Sequence, residues 1–201
     1  MPRSLSAEQV EDFRARLCEV AQHRFATQGR DAVTMRQLAD ALGCSPMTPY
    51  RYFRNKDEIL AAVRTAAFDR FAEALEEAAA QARGDLRAAG QAVGQAYVRF
   101  ALGDPDAYRL MFDVAQPDPE RYPELGRAST RARRTMSASL EALVKAGVFH
   151  GDPELLGLAF WSAMHGLVML HLAGKLPADR AFEGVRSEVM RLLVTGASSA
   201  V

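Results

Sequence analysis

A tight cluster of helix start and stop signals in the first quarter of the chain constrains the fold more than any other feature. Thr34 begins a capping-box sequence, which predicts a helix over residues 35–42. Gly43 can adopt the left-handed conformation of a sharp turn, and Pro46 suits the first position of a second helix over 46–53. The sequence therefore predicts two short helices joined by a tight turn, which is the arrangement of a helix-turn-helix.

The remaining sequence favours helices as well. Alanine (36 residues) and leucine (21) dominate, whereas only 22 residues carry the β-branched side chains that strands prefer. Apolar spacing between proline and glycine interruptions predicts further helices at 9–26, 56–82, 85–102, 105–113, 120–146, 153–173 and 179–195. We therefore expect an all-α fold with a three-helix head in residues 1–55 and a larger helical body in residues 56–201.

The charge of the chain is balanced, with 25 basic and 25 acidic residues, so any nucleic-acid role must rest on a local patch. Residues 30–56 form such a patch, because they hold five basic side chains against two acidic ones. The second predicted helix presents side chains of the types that read DNA grooves, namely Met47, Thr48, Tyr50, Arg51 and Tyr52. The alternative is an ordinary helical hairpin with solvated arginines.

Residues 33–63, VTMRQLADALGCSPMTPYRYFRNKDEILAAV, resemble the DNA-binding head of the TetR family of transcriptional regulators. The run Tyr50, Phe53 and Lys56 is similar to the signature of that family. The resemblance implies contacts to the DNA backbone from Thr34, Arg36, Thr48, Tyr50 and Lys56, and contacts to base edges from Pro46, Met47, Arg51 and Tyr52.

Pro49 departs from the pattern of that family, whose members usually have an aliphatic residue there. A proline at this position removes one helical hydrogen bond. Because it still lies in the first turn of the predicted helix 46–53, we expect the helix to tolerate it.

Aromatic and methionine side chains concentrate in the body, where they either pack in the core or line an apolar cavity for a ligand. The candidate ligand contacts are Tyr97, Phe100, Tyr108, Met111, Phe112, Met136, Trp161, Met164 and His165. Residues 161–176, WSAMHGLVMLHLAGKL, resemble the Trp-x-x-x-His-Gly signature of one C-terminal domain type of the TetR family, and YRLMF at 108–112 fits the same type. This second resemblance implies a domain that binds an effector and dimerises.

The helix predicted at 153–173 contains several small residues, including Gly157 and Gly166, and each internal glycine costs about 1 kcal/mol relative to alanine. Close approach of another helix is the usual compensation. We therefore expect 153–173 and 179–195 to pair with their copies in a four-helix homodimer interface. A two-fold dimer suits double-stranded DNA with two half-sites, that is, a palindromic operator.

The apolar run at 155–174 is long enough to span a bilayer, but its two histidines and two internal glycines favour a helix buried on nearly all sides of a soluble protein. The N-terminus lacks the apolar core of a secretory signal. The two cysteines, Cys18 and Cys44, are too few for a disulfide framework. These observations predict a protein of the reducing cytoplasm that does not enter the membrane.

Five arginines lie between residues 121 and 134, against one glutamate. We interpret them as a solvated face or as partners of the acidic helix at 69–85; a second nucleic-acid surface or an anionic effector are the alternatives.

Signals for catalysis or for a metal are missing from the sequence. His165 and His171 are six residues apart, or about 240° around a helix, and cannot share one ion as a pair. There is no glycine-rich phosphate loop and no nucleophile elbow. We therefore expect no cofactor, no metal and no enzymatic activity.

Together these features predict a ligand-responsive DNA-binding regulator, most simply a repressor that a small molecule releases from its operator. One alternative is an all-α small-molecule-binding protein or enzyme that no longer reads DNA, for which Pro49 is the best support; another is a regulator that activates. The excess of arginine over lysine, 22 against 3, is typical of a GC-rich bacterial genome.

Overall fold

The computed structural model describes residues 6–82, 84–113, 120–177 and 181–199, and every regular element in that part of the chain is helical. The all-α expectation is confirmed. The α-helices in these ranges are α1 (Ala7–Gln28), α2 (Met35–Ala41), α3 (Lys56–Gln81), α4 (Leu86–Gly103), α5 (Pro105–Met111), α6 (Pro123–Lys145), α7 (Pro153–Leu172) and α8 (Phe182–Ser198). Their bounds agree with the predicted ones to within a few residues; residues 179 and 180, where the last helix was predicted to begin, lie outside the described residues.

The chain forms two compact units, each built from two stretches of sequence. The first unit comprises Met1–Asp69 and Asp106–Ser129, and the second comprises Arg70–Pro105 and Thr130–Val201. We predicted a single division between residues 55 and 56, and that boundary stays a prediction.

The core of the first unit joins α1, α2, the start of α3 and one residue of α5. Its buried members are Leu17, Ala21, Phe25, Val33, Met35, Leu38, Phe53, Ile59, Leu60, Val63 and Leu110. The capping box at Thr34 forms as predicted, because its hydroxyl accepts the amide of Gln37 at 3.3 Å and the Gln37 side chain accepts the amide of Thr34 at 2.8 Å. Gly43 has the expected left-handed conformation, with φ +66°.

The predicted helix at 46–53 is wrong, because only a short 3₁₀ turn, Pro49–Arg51, forms there. Hydrogen bonds in this segment mostly close over three residues, as from the amide of Thr48 to the carbonyl of Ser45 at 2.8 Å. Pro49 has no N–H to donate to Ser45, and its ring crowds the same carbonyl in an α-helix. The proline thus has a larger local effect than the single lost bond that we expected.

The second unit contains α4, α7 and α8 together with the later parts of α3 and α6. Helix α7 packs against α4 and α8. Leu143, Phe149 and Ala197 form a small buried cluster in this unit, with Leu156 and Phe160 of α7 packed against it. A Cβ atom at Gly157 would lie 3.8 Å from side-chain atoms of Leu140 and Ser137 of α6, which is ordinary van der Waals contact, so no described helix of the chain approaches closely enough to require glycine there.

Helix α7 is not buried on nearly all sides, and that expectation is wrong for the single chain. Only 17% of its most apolar window is buried, although its mean hydropathy is 1.6. Leu155, Leu158 and Leu170 are 66%, 47% and 49% exposed. Within the described part of the chain, α4 and α8 cover only part of this apolar helix.

Candidate DNA interface and ligand cavity

The segment from Pro46 to Arg51 presents large side chains to solvent at the surface of the first unit. Met47 is 68% exposed and Tyr50 is 50% exposed, and Arg51 is exposed beside them. Pro49, in the same turn, is buried. The buried proline therefore fixes the turn against the core while its neighbours point outward.

Aromatic contacts anchor the end of this segment. The ring of Tyr52 stacks on Phe13 of α1 with centroids 4.2 Å apart. Arg14 donates a hydrogen bond to the carbonyl of Tyr52, and its guanidinium lies 4.0 Å from the ring centroid of Phe53. Tyr52 is thus half-buried and occupied by packing, so its predicted contact with a base edge stays a prediction.

The predicted backbone contacts differ in their surroundings. Thr34 and Arg36 are exposed, and Thr48 is half-buried. The ammonium of Lys56 instead donates to the carbonyls of Arg30 at 2.8 Å and of Val33 at 3.3 Å. Lys56 therefore ties the loop before α2 to the start of α3, and its contact with DNA stays a prediction.

Two arginines carry the unneutralised positive charge of this surface. Arg36 and Arg51 form no ion pair within the described ranges. Arg30 in contrast donates to Asp57 at 2.6 Å, and this hydrogen bond raises the pKa of its guanidinium. A small patch with exposed methionine, tyrosine and two free arginines is suited to phosphate and base-edge contacts.

A cavity of about 850 Å³ lies in the second unit, between α4, α6, α7 and α8. Four of the predicted ligand contacts line it, namely Tyr97, Met136, Trp161 and Met164. His165 is not among its lining residues, although its ring centroid is 6.1 Å from that of Trp161. Burial lowers the pKa of His165, which favours the neutral imidazole.

The other predicted ligand contacts are not among the lining residues of the cavity. Phe100 packs on Phe71, with ring centroids 5.0 Å apart. Tyr108, Met111 and Phe112 belong to the first unit, where the rings of Tyr108 and Phe112 are 5.0 Å apart. Their role as ligand contacts stays a prediction, and packing is what they do in this structure.

Several cavity residues were missed by reasoning from the sequence. Arg87, Arg133 and Arg134 line the cavity together with Phe160 and Met190. Two of them belong to the arginine-rich stretch at 121–134, so the signal was present in the sequence but did not distinguish a solvated face from an anion site.

Known family models match both the segment with the candidate DNA interface and the segment with the cavity. Residues 17–63 match the family model described as bacterial regulatory proteins of the tetR family. Residues 90–194, more than half of the chain, match the tetracyclin repressor-like C-terminal domain. The chain belongs to the TetR family. It is therefore a ligand-responsive DNA-binding transcription regulator rather than an enzyme.

Solved structures resemble this TetR family member over almost its whole length. A protein of unknown function from Rhodococcus sp. RHA1 is 25% identical, with a TM-score of 0.79 over 99% of this chain and 100% of the other. The TetR family transcriptional regulator PfmR from Thermus thermophilus is also 25% identical, with a TM-score of 0.74 over 92% and 100%. A regulatory protein of the tetR family from Rhodococcus RHA1 shares the fold at 21% identity, with a TM-score of 0.76 over 94% and 98%. No curated protein matches the sequence significantly.

Two further properties bear on the site. Within the described ranges, no group of three or more histidine, cysteine, aspartate or glutamate side chains could hold a metal ion. Helix α7 is the one described helix that is long and apolar enough to cross a membrane by length and composition. Regulators of the TetR family are soluble DNA-binding proteins, and α7 lies in the C-terminal domain of that family.

Proposed function

We propose that this regulator is a homodimeric repressor that binds a near-palindromic operator and is released by a small molecule bound in the cavity. The observation that carries the proposal is the turn Pro46–Arg51, in which Met47 and Tyr50 are exposed while Pro49 is buried. A chain does not gain stability from exposing two such side chains. Beside them, Arg36 and Arg51 form no ion pair within the described ranges, so this surface has both the apolar and the charged groups that contact with DNA requires.

The exposed turn enters the major groove in this proposal. Arg51 donates to a guanine edge, Met47 contacts a thymine methyl group, and Tyr50 and Arg36 hold the phosphate backbone. The 3₁₀ geometry supports a short reading segment, with base contacts from side chains close to the turn rather than along a full helix.

The dimer forms through α7 and α8. One face of α7 is exposed and carries leucines at both ends, Leu155 and Leu170, with the small residues Ala159 and Ser162 between them. Small residues in the middle of an apolar face let a second helix approach closely, and the leucines are then covered. On α8, Leu192 is 56% exposed and extends the same kind of surface.

The effector acts by differential binding. It must bind the conformation that does not fit the operator more tightly than the one that does, since a ligand with equal affinity for both would shift nothing. The cavity volume of about 850 Å³ is in the range of sites for small organic molecules.

A bacterial cytoplasm is the compartment that this proposal requires. Cys18 and Cys44 are free thiols. Burial raises the pKa of Cys18 to about 11, so this thiol stays protonated and unreactive at neutral pH.

The proposal is tested by incubating the purified chain with sheared genomic DNA of its source and sequencing the retained fragments at moderate salt. We expect a few fragments that share a palindrome. Arg51→Ala should weaken binding to these fragments by about 1–3 kcal/mol and weaken binding to random DNA much less. Arg16→Ala is the matched control, because Arg16 is an exposed arginine of α1 that pairs with Asp12.

Equal losses on palindromic and random DNA would contradict the base-reading role of Arg51. Retention of no fragment by protein that has been stripped of small molecules would favour the alternative, a ligand-binding protein that no longer reads DNA. The altered turn at Pro49 is the observation that would then explain it.

A further inference from the structure

The arginines of α6 fall into two groups according to their contacts. Arg127 pairs with Glu124 at 3.7 Å, and Arg131 donates to Glu76 at 2.9 Å. Arg133 and Arg134 line the cavity and form no ion pair within the described part of the chain. The two arginines beside the cavity are therefore the ones whose charge the protein does not neutralise.

The carboxylates around the cavity do not replace the missing partners. Asp152 caps α7, and one of its oxygens accepts the amide of Glu154 at 2.8 Å. Glu154 lies in the first turn of the same helix, where the amide dipoles already stabilise negative charge. Glu141 is the third carboxylate among the lining residues, which also include three arginines, and it forms no ion pair with Arg133 or Arg134.

The interior of the cavity is mainly apolar, in contrast to the charged arginines at its edge. Tyr97 and Met164 are buried, and Met136 and Trp161 are half-buried beside them. The arginines are exposed. An occupant thus meets aromatic and thioether surface inside and guanidinium groups at the rim.

We propose that the effector is an amphipathic anion whose apolar body occupies the cavity and whose carboxylate is bound by Arg133 and Arg134. This inference rests on the proposed function, because it names the ligand class of the same cavity. A guanidinium binds a carboxylate with two parallel hydrogen bonds, and two adjacent arginines at the rim can hold both oxygens. The apolar body removes hydrophobic surface from water at the same time.

Trp161 provides a direct readout, because it is the only tryptophan in the chain and lines the cavity. Three probes share one alkyl chain and differ in the charge of the head group: dodecanoate, dodecanol and dodecyltrimethylammonium. Each is titrated below its aggregation limit while the emission of Trp161 is recorded. We expect the tightest binding for dodecanoate and the weakest for the cation.

Variants at the rim test the role of the two arginines. The double change Arg133→Gln with Arg134→Gln should weaken dodecanoate binding about tenfold or more, the effect expected when a charged hydrogen bond is lost, and leave dodecanol binding unchanged. The charge reversal Arg133→Glu with Arg134→Glu should make the cation the preferred probe. Arg127→Gln is the control, because Arg127 is on the same helix but does not line the cavity.

The outcomes separate the ligand class from the proposed function. Equal binding of the three probes, or equal loss for dodecanol and dodecanoate in the glutamine variant, would overturn the anionic class while leaving a ligand site in place. Absence of any change in Trp161 emission would overturn both the class and the ligand site. Binding of dodecanoate without release of the palindromic DNA would support the class and contradict the release step.

Discussion

Both units have fully buried apolar residues, but the leucines that are largely exposed lie in the second unit. In the first unit, Leu17 and Leu38 are completely buried by the chain itself. In the second, Leu155 is 66% exposed and Leu192 is 56% exposed. Since leucine has the same preference for burial in both places, the difference reflects the number of partners that each unit provides within one chain.

This contrast separates a unit whose leucines are buried by its own chain from a unit that leaves leucines available to a partner. Among its described residues, the first unit buries its leucine core within the chain, with a contribution from Leu110 of α5. The second unit has a helix α7 that packs against α4 and α8 on one side and exposes leucines on another, and it contains a cavity. We propose that both binding partners act on this second unit. A second copy of the chain would cover the exposed face of α7, and an effector would occupy the cavity.

The largest expected effect tests the closed core. Leu38→Ala should destabilise the first unit by about 3 kcal/mol, because it removes a fully buried side chain and leaves a cavity. Urea unfolding followed by circular dichroism measures this loss, which should not depend on protein concentration. Leu86→Ala, at an exposed leucine of α4, should cost much less. Similar losses for the two variants would mean that the units do not differ as described.

Local signals in the sequence were sufficient for most of the helices. The capping box at Thr34 and the left-handed Gly43 depend only on neighbouring residues, so both could be predicted. The turn at Pro49 could not, because the sequence did not show whether the surroundings would compensate for a missing amide or adopt the 3₁₀ form. Pro49 is buried in the structure, and burial at a single position is not visible in the sequence.

Contacts between distant parts of the sequence were the harder problem. Leu110 of α5 joins the core of the first unit, and Asp106 of the same helix lies 2.8 Å from His23 of α1. No local pattern assigned α5 to that unit. The cavity shows the same limit, since Trp161 and Met164 were found from their residue type, whereas Arg133 and Arg134 needed the packing of α6 against α7.

The expected effect of intermediate size tests whether the exposed face of α7 forms the dimer interface. Leu155→Glu should weaken self-association by about 2 kcal/mol per copy, because it replaces apolar surface that the dimer would bury with a charge. Sedimentation equilibrium measures the dissociation constant. Leu86→Glu is the matched control at an exposed leucine outside α7 and α8. A dimer that tolerates Leu155→Glu as well as Leu86→Glu would exclude this part of α7 from the interface.

The smallest expected effect is on the free energy of unfolding. It comes from Glu58 at the start of α3, and it depends on pH. Burial alone would raise the pKa of Glu58, but hydrogen bonds to its carboxylate from the amide of Arg54 at 2.7 Å and from the Arg54 guanidinium at 3.1 Å outweigh it and lower the pKa. A depressed pKa in the folded state means that this stabilisation is present above the unfolded value of about 4.3 and is lost as the pH falls through the folded value. Glu58→Gln should therefore cost up to about 1 kcal/mol at neutral pH, measured by the urea midpoint, and the difference from the parent should disappear in acid. Glu19→Gln, at an exposed glutamate of α1, is the control. A difference for Glu58→Gln that persists in acid would show that the side chain acts through packing rather than through its charge.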